Sequence, residues 1–478
     1  MSKNTSDVII IGAGSGGLSV GLFLSKVGLS VTMIVKSDKE VGGECLNDGC
    51  VPSKALIHVS RLVHDARNAE KFGLSLTGQV DISKAISYVK PRQEIIRKHE
   101  NAAWLDEQGI KVVLGTAVFA GKHEVAVNGE SFSAKKIILA TGSKPRKLTT
   151  EGVGLVNYFD NENIFHLKKL PEKLLVIGGG PIGIEIAQAM KRLGSEVTVI
   201  EEGNGILSHD DPKVTEILIQ KLKEEGITFH FNVKLEKFSS PSSAVIKKED
   251  GKILTLECDA VFAGIGRMLV LEPLNLANAG IEVKNHKIIV DDQLRTTNKD
   301  IMLCGDIAGD LQFSHAAELH GRIILNNLFS PFHKKLNNDV MSWVTFTDPE
   351  IATFGLNEAQ LDKRGIKYHK LEQDFNDDDR AVTDNYQYGR VIVYLSKGNL
   401  FRTEKILGGT MVAPNAGELI QELILAKSSG LSANDIFNKI YPYPVAARIN
   451  QLIIIKHKEK TITSGIKKLL QMAFKLFS

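Results

Sequence analysis

The apolar positions of the chain fall into two near-copies of one pattern. Residues 7–35 read DVIIIGAGSGGLSVGLFLSKVGLSVTMIV, and residues 174–201 read LLVIGGGPIGIEIAQAMKRLGSEVTVIE. Each begins with an unbroken apolar run, the mark of a strand covered on both faces. A glycine turn follows, then apolar residues at helical spacing, a closing glycine and a second apolar run. The pattern predicts a strand, a helix and a parallel strand, twice. A third pattern ends the chain. Ile466, Leu469, Leu470, Ala473, Phe474 and Phe477 recur at i, i+3, i+4, i+7, i+8 and i+11, accompanied by Lys467, Lys468 and Lys475. That is an amphipathic helix with a basic border. It suits docking on the chain's own dimer or, alternatively, an anionic membrane surface or partner.

The two glycine turns fit G-x-G-x-x-G at Gly12, Gly14, Gly17 and at Gly178, Gly180, Gly183. One match alone is weak. Two matches, each between a strand and a helix, predict two dinucleotide-binding units, because glycine lets the backbone approach a pyrophosphate held on a helix N-terminus. The copies differ where the adenosine ribose is read. In the second copy an acid, Glu201, stands 23 positions after the first glycine, whereas the same offset in the first copy gives Val35. A carboxylate there repels a 2′-phosphate, so the second unit is expected to take NADH. In the first unit Asp38 or Glu40 is left to substitute, or the ribose goes unread.

The length of 478 residues suggests about three domains. A balance of 59 Lys+Arg against 56 Asp+Glu gives no electrostatic footprint for nucleic acid. No apolar stretch is long enough to span a bilayer, and the first residues lack a signal-peptide pattern, so a cytoplasmic protein is expected, peripheral at the membrane if the terminal helix binds there. Four cysteines occur, two of them in GGECLNDGCVPSK at Cys45 and Cys50. In a reducing compartment such a pair is expected to be catalytic or metal-binding. Zinc usually wants four ligands, and Cys258 and Cys304 stand alone in apolar runs, so they read as buried hydrophobes and no metal site is expected.

The glycine turns, GGECLNDGCVPSK, ATGSKPR at 140–146, CGDIAGD at 304–310 and TFTDPEIATFG at 345–355 come in an order that resembles the pyridine nucleotide-disulfide oxidoreductases, the group of dihydrolipoamide dehydrogenase, glutathione reductase and mercuric reductase. The resemblance covers about residues 7–455. It implies an α/β fold with two Rossmann-like dinucleotide-binding domains plus an α+β C-terminal dimerisation domain. The implied boundaries are FAD at 1–148 and 271–336, NAD at 149–270, dimerisation at 337–455 and a tail at 456–478. It also implies a homodimer and a redox-active Cys45–Cys50 disulfide. Cys50 would face the flavin and Cys45 would attack substrate. Lys54 would pair with Glu185 beside the flavin, and Asp306 would bind the ribityl chain. A helix starting near Ser314–His315 would aim its N-terminus at the flavin. Gly43, Thr141, Gly142, His315 and Gly266 complete the implied cofactor contacts. Residues five apart on a regular helix are about 7.5 Å apart along the axis, beyond ordinary disulfide reach, so the pair is expected on an irregular turn, with Gly49 allowing the approach. Pro52 suits a first helical turn, which puts Cys50 at a helix start where its thiolate is favoured.

One family feature is missing. Disulfide reduction needs an acid–base group at the interchange thiol, supplied in the family by a His–Glu pair in H-P-x-x-x-E. Here the stretch is IYPYPVAARIN at 440–450, with Tyr443 and Arg448 in those places and no histidine within ten residues of Tyr443. Arg448 adds positive charge, which works to lower the phenol's pKa. Mercuric reductase also carries a tyrosine in this region, but its C-terminal cysteine pair has no counterpart here. The expectation is an NADH-oxidising flavoprotein with an unidentified acceptor. The alternatives are a soft-metal, quinone or electrophile reductase, or a slow redox sensor on a membrane or complex.

Overall fold

The computed structural model describes residues 4–309, 311–398 and 403–477. Asp310, which closes the CGDIAGD motif, lies outside them. The chain divides into two compact units, one of residues 1–204 and 226–337 and one of 205–225 and 338–478.

The first unit holds both predicted βαβ motifs. In its first sheet the strands run Ile110–Leu114, Val31–Val35, Asn4–Ile11, Glu130–Leu139, Glu124–Val127, Val118–Gly121, with Ile301–Leu303 also paired to Glu130–Leu139. The first four and Ile301–Leu303 run parallel to one another, and the last two in that order pair antiparallel with their neighbours. Ile9 and Ile10 are both fully buried although they point to opposite faces, which is why the strand reads as an unbroken apolar run. Burying each such side chain contributes about 1.5–3 kcal/mol. The second sheet is parallel in the order Thr228–His230, Glu196–Ile200, Lys173–Ile177, Ala260–Ala263, Tyr158–Phe159. The glycine turns enter the helices Ser15–Lys26 and Pro181–Leu193. Beside the second sheet, Val233–Ser240, Ser243–Lys248 and Ile253–Glu257 form a small antiparallel sheet.

The second unit is α+β. Its antiparallel sheet runs Ser342–Thr345, Glu350–Gly355, Ile406–Ala413, Arg390–Ser396, Tyr368–Asp374. The core joins Phe354, Val393 and Met411 of that sheet to Leu423 and to Ile449, Ile453 and Ile454 of the helix Ile449–Thr461. The chain ends in the predicted helix, Ser464–Phe477. On the protomer its apolar stripe is exposed, from Ile466 and Leu469 to Phe474 and Phe477. Among the described residues, no helix is long and apolar enough to cross a membrane.

Candidate active site

Three turns meet at the carboxyl edge of the first parallel sheet. Gly12 donates its amide to Ile34, Ala140 to Ile11, and Cys304 to Leu139. The turns beginning there carry Gly14 and Gly17, Thr141 and Gly142, and Gly305 and Asp306. In open α/β sheets that edge is where ligands bind. The residues present fit a dinucleotide. Gly14 caps the helix Ser15–Lys26 without a side-chain hydrogen bond, leaving first-turn amides to a ligand. A Cβ added to Gly43, at φ +63°, would stand 2.7 Å from the Gly14 Cα, so a bare backbone wall faces that helix end. The second copy repeats the design: Gly178 donates to Ile200, and Gly180 caps Pro181–Leu193 without a side chain. Gly266 turns the chain just past Ala260–Ala263, the neighbouring strand.

Glu201 sits at this second turn, where its carboxylate accepts from the amides of Gly179 at 2.6 Å and Gly203 at 2.7 Å. In the first copy Val35 is buried, and Asp38, in the short turn Asp38–Glu40, accepts instead from the Ala102 amide at 2.7 Å.

The cysteine pair sits on the irregular turn expected. Cys45 belongs to the short helix Gly43–Asn47, and Cys50 is the first residue of the helix Cys50–Asn68. A Cβ on Gly49 would come 2.9 Å from the Glu44 carbonyl oxygen and 3.3 Å from the Cys45 Cα, so a side chain there would push the thiols apart. The thiols are unlike. Cys50 is pulled down to about 6, chiefly by the hydrogen bond from Cys45 and then by the Lys54 ammonium and Ser314, whose hydroxyl lies 3.7 Å from its sulfur. Cys45 is driven up, because it donates to the Cys50 thiolate and is partly buried. Between them the Asp48 carboxyl is raised to about 6 by burial.

Lys54 lies one turn along the helix from Cys50. Its Nζ meets Glu185 Oε2 at 2.8 Å, and the glutamate is only 5% exposed. Ser314 opens the helix Ser314–Phe329, as expected, with no side-chain cap, and the His315 ring stacks on Phe313. Asp306 accepts from Ser143 Oγ at 2.5 Å.

Sequence reasoning missed the bracing of this centre. Arg267, 14% exposed, grips Glu44 with both terminal nitrogens and donates from Nε to Ser143 Oγ at 2.7 Å. Asn161 donates to the same carboxylate at 2.6 Å. Glu44 is thereby fixed immediately before Cys45. The buried His320 accepts the Gly305 amide at 3.1 Å on Nδ1 and holds the turn before Asp306. Neither residue lies in a motif, and their partners are remote in sequence, so no local pattern marks them. Cys258 and Cys304 are buried, and desolvation raises their thiols to about 11 and about 12.

Tyr443 lies in the second unit, 70% exposed. The expectation for its phenol is corrected here. The Asp379 carboxylate, by its charge and a hydrogen bond, outweighs Arg448, and the pKa is raised rather than lowered.

The pyridine nucleotide-disulphide oxidoreductase model matches residues 6–321, and the family's dimerisation-domain model matches 341–452. The chain belongs to this family. It is therefore an FAD-dependent oxidoreductase of a family that uses FAD and NAD(P), and its dimerisation domain supports a homodimer. A mercuric reductase of Bacillus cereus is 32% identical over 458 residues, 94% of this chain and 71% of that protein. A dihydrolipoyl dehydrogenase of Thermus scotoductus is 32% identical over 455 residues, 92% of this chain and 95% of that one. Among solved structures, the HOCl-induced flavoprotein disulfide reductase RclA of Escherichia coli superposes with a TM-score of 0.81 at 25% identity, covering 94% of this chain and 99% of that chain. A Cu(II) complex of the same reductase, at 24% identity and TM-score 0.82, shares the fold.

Proposed function

We propose that this flavoprotein oxidises NADH and passes the electrons through Cys45 and Cys50 to an acceptor needing little proton management: a soft metal ion, a quinone or a reactive electrophile. The observation that carries the reading is the split between the thiols. Cys50 is held below the ordinary thiol range by the hydrogen bond from Cys45, by the Lys54 ammonium and by Ser314, and Cys45 is raised because it donates to Cys50. In this reading FAD, held by Gly12, Gly14, Gly17, Gly43, Thr141, Gly142, Asp306 and His315, supplies two-electron transfer between nicotinamide and thiols. Gly178, Gly180, Gly183, Glu201 and Gly266 hold the nicotinamide nucleotide. Lys54, kept in place by buried Glu185, puts a cation beside the redox centre, where it favours developing negative charge. Cys45 forms the bond to the acceptor. Glu44 and Arg267 fix the turn that presents it. The domain division proposed is FAD at 1–148 and 271–336, NAD at 149–270, dimerisation at 337–455 and tail at 456–478.

Tyr443 and Arg448 are poor substitutes for a His–Glu pair. An exposed phenol raised by Asp379 holds its proton at neutral pH. That favours acceptors which bind sulfur without protonating a leaving thiol. A relative named mercuric reductase supports soft-metal chemistry. Steady-state NADH oxidation by the wild type and by Cys45→Ser, with Hg(II), Cu(II), quinones, lipoamide and glutathione disulfide, tests the reading. Cys45-dependent turnover of a metal, quinone or electrophile is expected. Fast lipoamide turnover would overturn the acceptor class, and no turnover with any acceptor would favour a redox sensor.

The exposed stripe of Ser464–Phe477 supports a contact role for the tail: cover by the second subunit or, with Lys467, Lys468 and Lys475, attachment to an anionic membrane surface.

A further inference from the structure

We infer that the second unit carries a binding site for a divalent transition metal of the zinc class, made by His369, Glu404 and His457. The three are scattered in sequence. His369 is on the edge strand Tyr368–Asp374, Glu404 is in the segment entering Ile406–Ala413, and His457 is on the helix Ile449–Thr461. The fold brings one donor atom from each to within 4.8 Å of the others.

The distances suit an ion. His457 Nε2 lies 3.0 and 3.2 Å from the two Glu404 oxygens, and His369 Nε2 lies 3.6 Å from Oε1. Zinc with N and O ligands at about 2.0–2.1 Å in tetrahedral geometry spaces its ligand atoms about 3.3 Å apart. Two of the three edges already bracket that value. The imidazole centroids are 5.1 Å apart, so closing the third edge takes a small turn of the exposed His369 ring.

A plain His–Glu hydrogen bond does not account for the arrangement. His457 already spans both carboxylate oxygens. His369 Nε2 stands 3.6 Å from Oε1, too long for a hydrogen bond, so that bond does not explain the second imidazole. A dication satisfies both imidazole lone pairs and the carboxylate at once. Exposure is graded from His457 at 9% through Glu404 at 25% to His369 at 42%, which leaves the fourth position toward solvent on the His369 side. Two imidazoles and one carboxylate favour a borderline ion such as zinc over magnesium or calcium, which prefer oxygen. Bound there, the ion ties the helix Ile449–Thr461 to the sheet edge.

The test uses the full-length flavoprotein carrying Cys45→Ser and Cys50→Ser, so that thiols do not capture the probe. Titration with Zn(II) is expected to give one ion per protomer at micromolar affinity or tighter, with a rise in Tm. Co(II) in its place is expected to show the absorption bands of a four-coordinate site. His457→Asn and His369→Asn are each expected to weaken binding at least tenfold and to abolish both the Tm rise and the cobalt bands. Should His457→Asn fold poorly, the more exposed His369→Asn carries the test alone. No zinc held at micromolar concentration, or equal affinity in both histidine variants, overturns the site.

Discussion

Glu201 and Val35 occupy the same point of two copies of one unit. Gly178 donates to Ile200 just before Glu201, and Gly12 donates to Ile34 just before Val35. The register is the same, and the side chain is a carboxylate in one copy and an isopropyl group in the other. A carboxylate can accept from ribose hydroxyls and repels a 2′-phosphate, whereas valine does neither.

The nucleotide preference follows. NADH is expected to exceed NADPH in kcat/KM by roughly 10²-fold, since a like-charge pair at a binding surface costs several kcal/mol. Glu201→Gln removes the charge and keeps one oxygen, enough for one of the two amides that the carboxylate serves with separate oxygens, so it should narrow the gap at a small cost in Tm. Equal values for the two nucleotides in the wild type would refute the assignment.

The thiol split is visible in absorbance. Two-electron-reduced enzyme should show the long-wavelength band of a thiolate lying against oxidised flavin. Cys50 is lowered to about 6, so the thiolate forms as pH rises through that value. The band should therefore persist at pH 8 and fade as pH drops through about 6. Cys50→Ser should abolish it, and Cys45→Ser should make it permanent in the oxidised enzyme. A midpoint near the ordinary thiol value of about 8.5 would contradict the assigned cause.

Lys54 and Glu185 can be separated by a double substitution. Lys54→Met removes a cation 2.8 Å from the nearly buried Glu185 carboxylate and should cost about 1–3 kcal/mol, read as a lower Tm. Adding Glu185→Leu removes the charge that Lys54 offset and should recover part of that stability. Reduction by NADH should stay slow in both, because the cation is gone. Recovery of the rate in the double variant would reduce Lys54 to a structural role.

The two βαβ units were legible because each demands an apolar strand, a tight glycine turn and a helix in immediate succession. The cysteine turn was legible because Gly49 and Pro52 constrain the backbone around it. Lys54 and Glu185 came through resemblance, and their contact is a matter of how two helices pack. Arg267 gave no signal: it is a single arginine in the two-residue strand Arg267–Met268, and its partner Glu44 is 223 positions away. His320 was equally silent as one histidine within a helix. At Tyr443 the sequence shows Arg448, which lowers the phenol, but not Asp379, which is distant in sequence and outweighs it.

Dihydrolipoamide and glutathione disulfide should be poor substrates. General acid–base help contributes about 10²–10⁴-fold, and the deficit against a dihydrolipoyl dehydrogenase should be of that size. Tyr443→His with Arg448→Glu is expected to raise disulfide turnover. Brisk lipoamide reduction by the wild type would mean that another group handles the proton.

Removal of residues 463–478 leaves every flavin and nicotinamide motif in place. FAD content and NADH oxidation with artificial acceptors should be unchanged. Either dimer stability or co-sedimentation with anionic vesicles should fall, and the two assays tell the occupants of the helix apart. No response in either would leave the apolar stripe without a role.

The strand Ile301–Leu303 lies beside Glu130–Leu139 in the first sheet, about 160 residues further along the chain. A ribosome adding about 5–20 residues per second needs on the order of ten seconds or more to cover that distance. Throughout that interval the edge of Glu130–Leu139 that this strand later covers is open, and the turn that will carry Asp306 does not yet exist. The second nucleotide-binding unit, by contrast, is complete in sequence before residue 270. The later-encoded unit can thus close first, and a nascent chain stalled before residue 303 presents one open apolar strand edge, Ile137–Leu139, to chaperones and proteases.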